Sequence, residues 1–169
     1  MCNSSVPAAL RRWRMAIMAL IFPVACGAAL RAGDIWEQVD VVPMPKEISL
    51  SGKVRALDPQ RFALVLGAKP LDSSRTGADW INRRLVKMGG APLPIVSVAD
   101  ELAAAVTPIY LGTKDDNARI AEAVSAGVLN VGEANPGVRG YEIRFAVDGP
   151  IYLGGADAIG ALYASVTFG

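Results

Sequence analysis

The spacing of apolar and polar residues predicts several short strands after residue 46. Phe62–Leu66 is an apolar run without alternation, which is typical of a strand covered on both faces. Residues 94–98 and 108–111 form two further short apolar strands. Weaker β-prone stretches at residues 47–50 and 54–57 come before them. Residues 99–107 are expected to form a helical turn or a loop.

Two stretches in the middle of the chain change to a helical period. Residues 73–88 carry apolar residues on one side of a helix and polar residues on the other, and Gly89-Gly90 provides a stop. The apolar side consists of Ala78, Ile81, Leu85 and Met88. A second helix is predicted to open at residues 115–117 and to run to about Ala126, with acidic residues where the helix dipole favours them.

The last third predicts a hairpin followed by a helix. Apolar and polar residues alternate over residues 141–147, Asp148-Gly149 suits a turn, and residues 151–153 form the return strand. A third helix is predicted to begin near Asp157. Its bulky apolar residues, which share one face, are Ile159, Leu162, Tyr163 and Val166.

This order of elements predicts an α+β domain over residues 47–169, with a mixed sheet and its helices mainly on one face. Residues 33–46 contain Pro43 and Pro45, so they are expected to be an extended lead-in. No internal repeat is expected. A domain whose last helix carries a bulky apolar face is expected to continue into a further domain.

Residues 1–32 have the layout of a secretory signal peptide, because three arginines precede an apolar run and a stretch of small residues. The run, residues 15–25, is well short of the roughly 20 residues that cross a bilayer as a helix. We therefore expect an exported protein, periplasmic or extracellular, without a transmembrane anchor. Residues 23–26 resemble a bacterial lipoprotein signal that would lipidate Cys26, although that signal favours leucine where Pro23 stands. The residues that flank Arg11-Arg12 do not match a twin-arginine signal, so a general export route is expected.

Charge and cysteine content narrow the function of the mature chain. Both cysteines, Cys2 and Cys26, lie in the predicted leader, so cleavage leaves no thiol for a disulfide. Removing the four leader arginines from 17 basic residues leaves 13 against 16 acidic residues, a net charge of −3. A nucleic-acid partner is not expected, because such binding requires a basic surface.

The sequence contains no histidine, which excludes Ser-His-Asp, Cys-His and histidine-zinc mechanisms. Carboxylates remain for acid-base chemistry, but Asp100-Glu101 and Asp115-Asp116 lie at predicted helix starts and are expected to be structural. The glycine-rich stretch 153–160 matches no phosphate-binding motif and is expected to pack tightly. Neither Trp36 nor Trp80 is predicted to bind a sugar. The sequence therefore predicts no catalytic, cofactor-binding or metal-binding residue.

Two parts of the chain resemble a known family. Residues 41–47 (VVPMPKE) are similar to the double-proline opening of the accessory domain that precedes the barrel in family 20 glycoside hydrolases, the β-N-acetylhexosaminidases. Residues 140–145 (GYEIRF), 151–157 (IYLGGAD) and 160–168 (GALYASVTF) resemble the end of that domain. The resemblance spans almost the whole predicted mature chain, with its specific residues at the two ends.

The resemblance implies a fold similar to zinc peptidases without their metal centre. It also implies a catalytic (β/α)₈ barrel C-terminal to Gly169, which would remove terminal N-acetylhexosamine without a cofactor, so this chain alone is expected to be inactive. Asp100-Glu101 does not match the family's catalytic pair. Similar domains precede the barrels of α-glucuronidases and family 84 glycosidases, and a stand-alone exported carbohydrate-binding or interaction module is a further alternative.

Overall fold

A computed structural model describes residues 56–169 of the protein, and all of them belong to one compact unit. The predicted leader, the proline-containing lead-in and the strand expected at residues 47–50 lie outside the described residues. Of the strand expected at residues 54–57, only residues 56–57 are described, and they are not in a strand.

Five strands and three helices follow one another along the described chain. They are β1 (Phe62–Leu66), α1 (Asp72–Lys87), β2 (Ile95–Ser97), β3 (Thr107–Thr113), α2 (Ala118–Ser125), β4 (Tyr141–Phe145), β5 (Ile151–Gly155) and α3 (Ala158–Phe168). The strands form one mixed sheet in the order β2-β1-β3-β5-β4. Only β4 runs antiparallel to its neighbour. The predicted α+β class with a mixed sheet is therefore confirmed.

The main core lies between the sheet and the pair α1 and α3, which pack together on one face. Its buried apolar residues are Phe62, Leu64, Leu66, Ala78, Ile81, Leu85, Leu93, Ile109, Leu111, Ile151, Leu153 and Ala164. A smaller core beneath α2 contains Ile120, Ala123, Leu129 and Val131, together with Tyr110 and Tyr152 from the sheet. Two of the three described helices thus share one face, and all five residues of β1 are buried.

The C-terminus of α1 is closed by the two glycines that were predicted to stop it. The amide of Gly90 donates to the Leu85 carbonyl at 2.9 Å and that of Gly89 to Val86 at 3.0 Å, while Gly89 has a φ of 84°. These two bonds and the left-handed residue form a Schellman motif. The prediction of Met88 on the apolar side is wrong: it is 62% exposed, because it caps the helix after the last helical residue.

The helix α3 turns its small residues inward. Gly160, Ala161, Ala164 and Ser165 are buried. A Cβ at Gly155 would overlap the backbone of Ala161, so the helix lies directly on β5. The bulky residues Ile159, Leu162, Tyr163 and Val166 do share one face, as predicted, but that face points away from the sheet. We refer to these four residues as the outer stripe.

The predicted hairpin is present at the edge of the described sheet. Phe145 of β4 pairs with Ile151 of β5, and Asp148 in the turn has a φ of 53°. The strand β4 ends at Phe145, two residues earlier than expected, and Val147 is 71% exposed. In residues 56–169, no helix is both long and apolar enough to cross a membrane.

Candidate functional site

The carboxyl ends of β1 and β3 are where an open parallel sheet commonly binds a ligand, because the chain continues to opposite faces from these two strands. Here the chain's own Asp116 fills the position. Its carboxylate accepts hydrogen bonds from the Ser74 hydroxyl at 2.9 Å, the Leu71 amide at 3.2 Å and the Thr113 hydroxyl at 3.0 Å. The Leu71 amide and the Ser74 hydroxyl, at the start of α1, therefore donate hydrogen bonds to a carboxylate in the loop that follows β3.

Asn117, beside it, closes the same edge of the sheet. This side chain is fully buried, and its amide nitrogen donates to the carbonyls of Val65 and Leu111, both at 3.0 Å. Its oxygen accepts from the Arg119 amide at 3.0 Å, which caps α2. The structural role predicted for Asp115-Asp116 is confirmed for Asp116, but the N-cap of α2 is Asn117.

The glycine-rich turn between β5 and α3 is closed by close packing. A Cβ at Gly160 would overlap the carbonyl of Gly140. Asp157 occupies the helix start, where its carboxylate accepts from the amides of Gly160 and Arg139, each at 2.8 Å. The Gly160 hydrogen bond lowers the pKa of the Asp157 carboxyl below its ordinary value. The turn thus serves packing and capping, as its sequence predicted.

The Asp100-Glu101 pair lies in a different environment, beside aromatic and basic side chains on the α2 face of the sheet. It lines a cleft of about 260 Å³, the first cleft, together with Val65, Val98, Tyr110 and Arg119. Both acids are exposed, and the Asp100 carboxylate accepts from the Ser97 amide at 2.7 Å. The pair does not start a helix, because residues 99–106 form turns and loop, so that expectation is corrected.

A second cleft of about 240 Å³ lies on the other side of the same tyrosine and arginine. It is lined by Tyr110, Arg119, Glu122, Val128, Pro150 and Tyr152. The rings of Tyr110 and Tyr152 stack with their centroids 5.6 Å apart. Arg119 and Glu122 form an ion pair at 2.7 Å, with side chains that are 50% and 62% exposed. Two aromatic rings, one guanidinium and three carboxylates therefore share one surface.

The ionisation of this surface follows from its contacts. Burial raises the pKa of the Tyr110 phenol above its ordinary value, and the nearby Arg119 guanidinium partly opposes that rise. The hydrogen bond with Glu122 raises the pKa of Arg119 itself. At neutral pH, Tyr110 is therefore an uncharged hydroxyl beside a permanent positive charge.

A sequence signal for this surface exists in two identical segments. Pro-Ile-Tyr-Leu-Gly occurs at residues 108–112 and again at 150–154, so the expectation of no internal repeat is wrong at this place. The Ile-Tyr-Leu-Gly residues of the two copies are register partners on the parallel strands β3 and β5. The register brings the two tyrosines side by side on one face. Neither tyrosine was predicted as a site residue, and neither was Arg119.

The other candidates lie away from these clefts. Trp80 is 44% exposed on α1, which packs on the opposite face of the sheet, and Trp36 lies outside the described residues. Among residues 56–169, no group of three acidic, cysteine or histidine side chains is placed to hold a metal ion. Comparison of the chain with models of protein families and with curated proteins found no match to either.

Proposed function

We propose that this chain is the non-catalytic N-terminal accessory domain of an exported glycoside hydrolase. Its parent activity is that of a β-N-acetylhexosaminidase, which removes terminal N-acetylhexosamine residues in carbohydrate metabolism. In this proposal the chemistry belongs to a (β/α)₈ barrel C-terminal to Gly169. The accessory domain supplies no catalytic residue, cofactor or metal, and positions that barrel.

The observation that supports this proposal is how the family-like segments interlock at the C-terminal end. The Tyr141 hydroxyl lies 2.8 Å from the Thr167 hydroxyl, which ties β4 to the last turn of α3. Gly160 in α3 lies against the carbonyl of Gly140 so closely that no side chain would fit. At the C-terminal end, the segments that carry the resemblance therefore include the residues that fix the hairpin to the helix.

The outer stripe supports the same proposal. The sequence of α3, AIGALYASVTF, contains no charged residue, and Ile159 in the stripe is 41% exposed. A helix that meets water on its outer face normally carries charged and polar residues there. An apolar outer face on the last helix is suited to packing against a following catalytic domain.

The coding sequence beyond Gly169 provides the direct test. We expect an in-frame barrel of about 250 residues, the size typical of that fold. A stop codon there, together with a stable exported product, would contradict the proposal and favour a stand-alone carbohydrate-binding or interaction module.

A kinetic test addresses the assignment of activity. The purified chain should not hydrolyse an aryl N-acetylglucosaminide, because the proposal assigns the catalytic carboxylates to the barrel. Turnover that persists through purification and disappears in both Asp100→Ala and Glu101→Ala would place the chemistry in this chain and overturn the proposal.

A further inference from the structure

We propose that the two clefts flanking Tyr110 and Arg119 bind a neutral saccharide chain. The first cleft has a volume of about 260 Å³ and the second about 240 Å³, and both are lined by Tyr110 and Arg119. Each is smaller than the roughly 300–1,000 Å³ of a pocket for a drug-sized ligand, so each accommodates about one sugar ring. The inference rests on the described side chains and does not depend on the proposed parent enzyme.

The clefts exist because the α2 face of the sheet is covered unevenly. Gly112 and Gly154 are register partners near the carboxyl ends of β3 and β5, and a Cβ at Gly154 would lie only 3.0 Å from the Leu129 side chain. Their lack of side chains lets Asn117 and Leu129 lie directly against the strands. Two residues earlier, Tyr110 and Tyr152 lie beside this covered region; Tyr110 lines both clefts and Tyr152 lines the second.

The aromatic pair is suited to sugar rings. The two rings are stacked at an interplanar angle of 29°, and each tyrosine is partly exposed. The C–H groups on one face of a pyranose pack against an aromatic ring, while a tyrosine hydroxyl can also hydrogen-bond to the sugar. Because the rings belong to adjacent parallel strands, the sheet holds them in position without a ligand.

The polar groups around the rings determine the class of sugar. Arg119 lies between the two clefts as a donor, while Asp100 and Glu101 line the first and Glu122 the second. These groups match the donor and acceptor character of sugar hydroxyls. Three carboxylates against one guanidinium disfavour phosphate, sulfate and uronate groups. The second cleft carries one charge of each sign, because Arg119 and Glu122 form an ion pair there, so it gives a free cation no net attraction, and the geometry points to an uncharged saccharide.

Titration calorimetry of the full chain with cellotriose and with chitotriose tests this inference. We expect at least one of the two to bind with a dissociation constant of about 1 mM or lower. Arg119→Ala should weaken that binding about tenfold, since it removes charged hydrogen bonds, and Tyr110→Leu by a similar factor. Tyr110→Phe, which keeps the ring, should bind within about threefold of the unmodified chain.

Matched controls separate the clefts from the rest of the surface. Glu101→Gln should weaken binding, whereas Glu133→Gln, the same change at an exposed loop residue outside both clefts, should not. Trp80→Ala removes an exposed aromatic ring on the opposite face and should also have no effect. Arg119 and Glu101 are exposed, so their variants remain informative if Tyr110→Leu fails to fold.

Three results would overturn the inference. The first is no binding of either trisaccharide at 10 mM, about ten times the expected dissociation constant. The second is binding that survives both Arg119→Ala and Glu101→Gln. The third is tighter binding of trigalacturonate or trilysine than of the neutral sugars, which would assign the clefts to an anionic sugar or a basic peptide.

Discussion

Gly77 of α1 lies against Ser165 of α3 so closely that a Cβ on Gly77 would overlap the serine hydroxyl. Ser165 is fully buried, and its hydroxyl donates to the Ala161 carbonyl at 2.9 Å. The serine is therefore buried and held by a hydrogen bond within its own helix. This contact sets the distance between the two helices that cover the main core.

Gly77→Ala should consequently destabilise the protein although alanine is the better helix former. Overpacking a tight contact costs about 1–3 kcal/mol, while the helix-propensity gain is at most about 1 kcal/mol. We expect the free energy of unfolding, measured by urea denaturation, to fall by about 1–2 kcal/mol. Gly132→Ala is a suitable control, because a Cβ there meets only the Asn135 carbonyl oxygen at 4.0 Å. Equal stability of the two variants would contradict the packing argument.

Asn117→Asp should be more damaging, although the two side chains have nearly the same shape. The change places a carboxylate oxygen opposite the carbonyls of Val65 and Leu111, in a fully buried position. A buried charge without a partner costs at least about 3 kcal/mol, so we expect a loss of that size at pH 7 in urea denaturation. Asn130→Asp makes the same chemical change at an exposed residue and should alter the stability little. A loss below about 1 kcal/mol for Asn117→Asp would show that the edge tolerates rearrangement.

Local patterns in the sequence predicted most of the described elements. Clear patterns are present in three elements: the unbroken apolar run of β1, the helical period of α1 and the alternation in β4. Each pattern reflects burial of one or two faces of the element, so it can be recognised from the order of the residues. The face of α3 was not predictable in this way. Its residues are apolar or small all round, so hydrophobicity does not select the side that packs. The close contact between Gly155 and Ala161 determines which side of α3 faces the sheet, and such contacts depend on three-dimensional fit.

The clefts were missed for a related reason. Tyr110 and Tyr152 are far apart in sequence and become neighbours only because β5 inserts between β3 and β4. Asp100-Glu101 resembles a helix start when only neighbouring residues are considered. Its proximity to Arg119 depends on which strands pair, and local hydrophobic periodicity does not record strand order. The repeated Pro-Ile-Tyr-Leu-Gly segment is the one local sign that the two strands occupy equivalent environments.

The stability of the protein in acid should depend on Asp157. Hydrogen bonds from the Gly160 and Arg139 amides hold the pKa of this carboxyl below its ordinary value in the folded state. The folded state therefore binds the proton less tightly than the unfolded chain. The resulting stabilisation is present above the unfolded pKa, about 3.9, and is lost as pH falls through the folded pKa.

Asp157→Asn should therefore make unfolding less dependent on pH. Asparagine is a comparable N-cap, so stability at pH 6 should change by less than about 1 kcal/mol, while the decline between pH 4 and pH 2 should become shallower. Urea denaturation at a series of pH values measures both quantities. Asp79→Asn makes the same chemical change at an exposed residue in the body of α1 and serves as the matched control. An unchanged slope in Asp157→Asn would contradict the assigned role.

The outer stripe should limit the solubility of the chain when no further domain covers it. Ile159 is 41% exposed within an uncharged helix, so Ile159→Lys introduces a charge without disturbing the buried residues Ala161 and Ala164. We expect light scattering of the full chain to show less self-association in this variant, with the thermal midpoint changed little.

Val86→Lys provides the matched control, because Val86 is 54% exposed on α1, outside the stripe. If both changes improve solubility equally, net charge is the cause and the stripe has no special part. If the unmodified chain is already a clean monomer with a sharp thermal transition, its helix needs no covering domain.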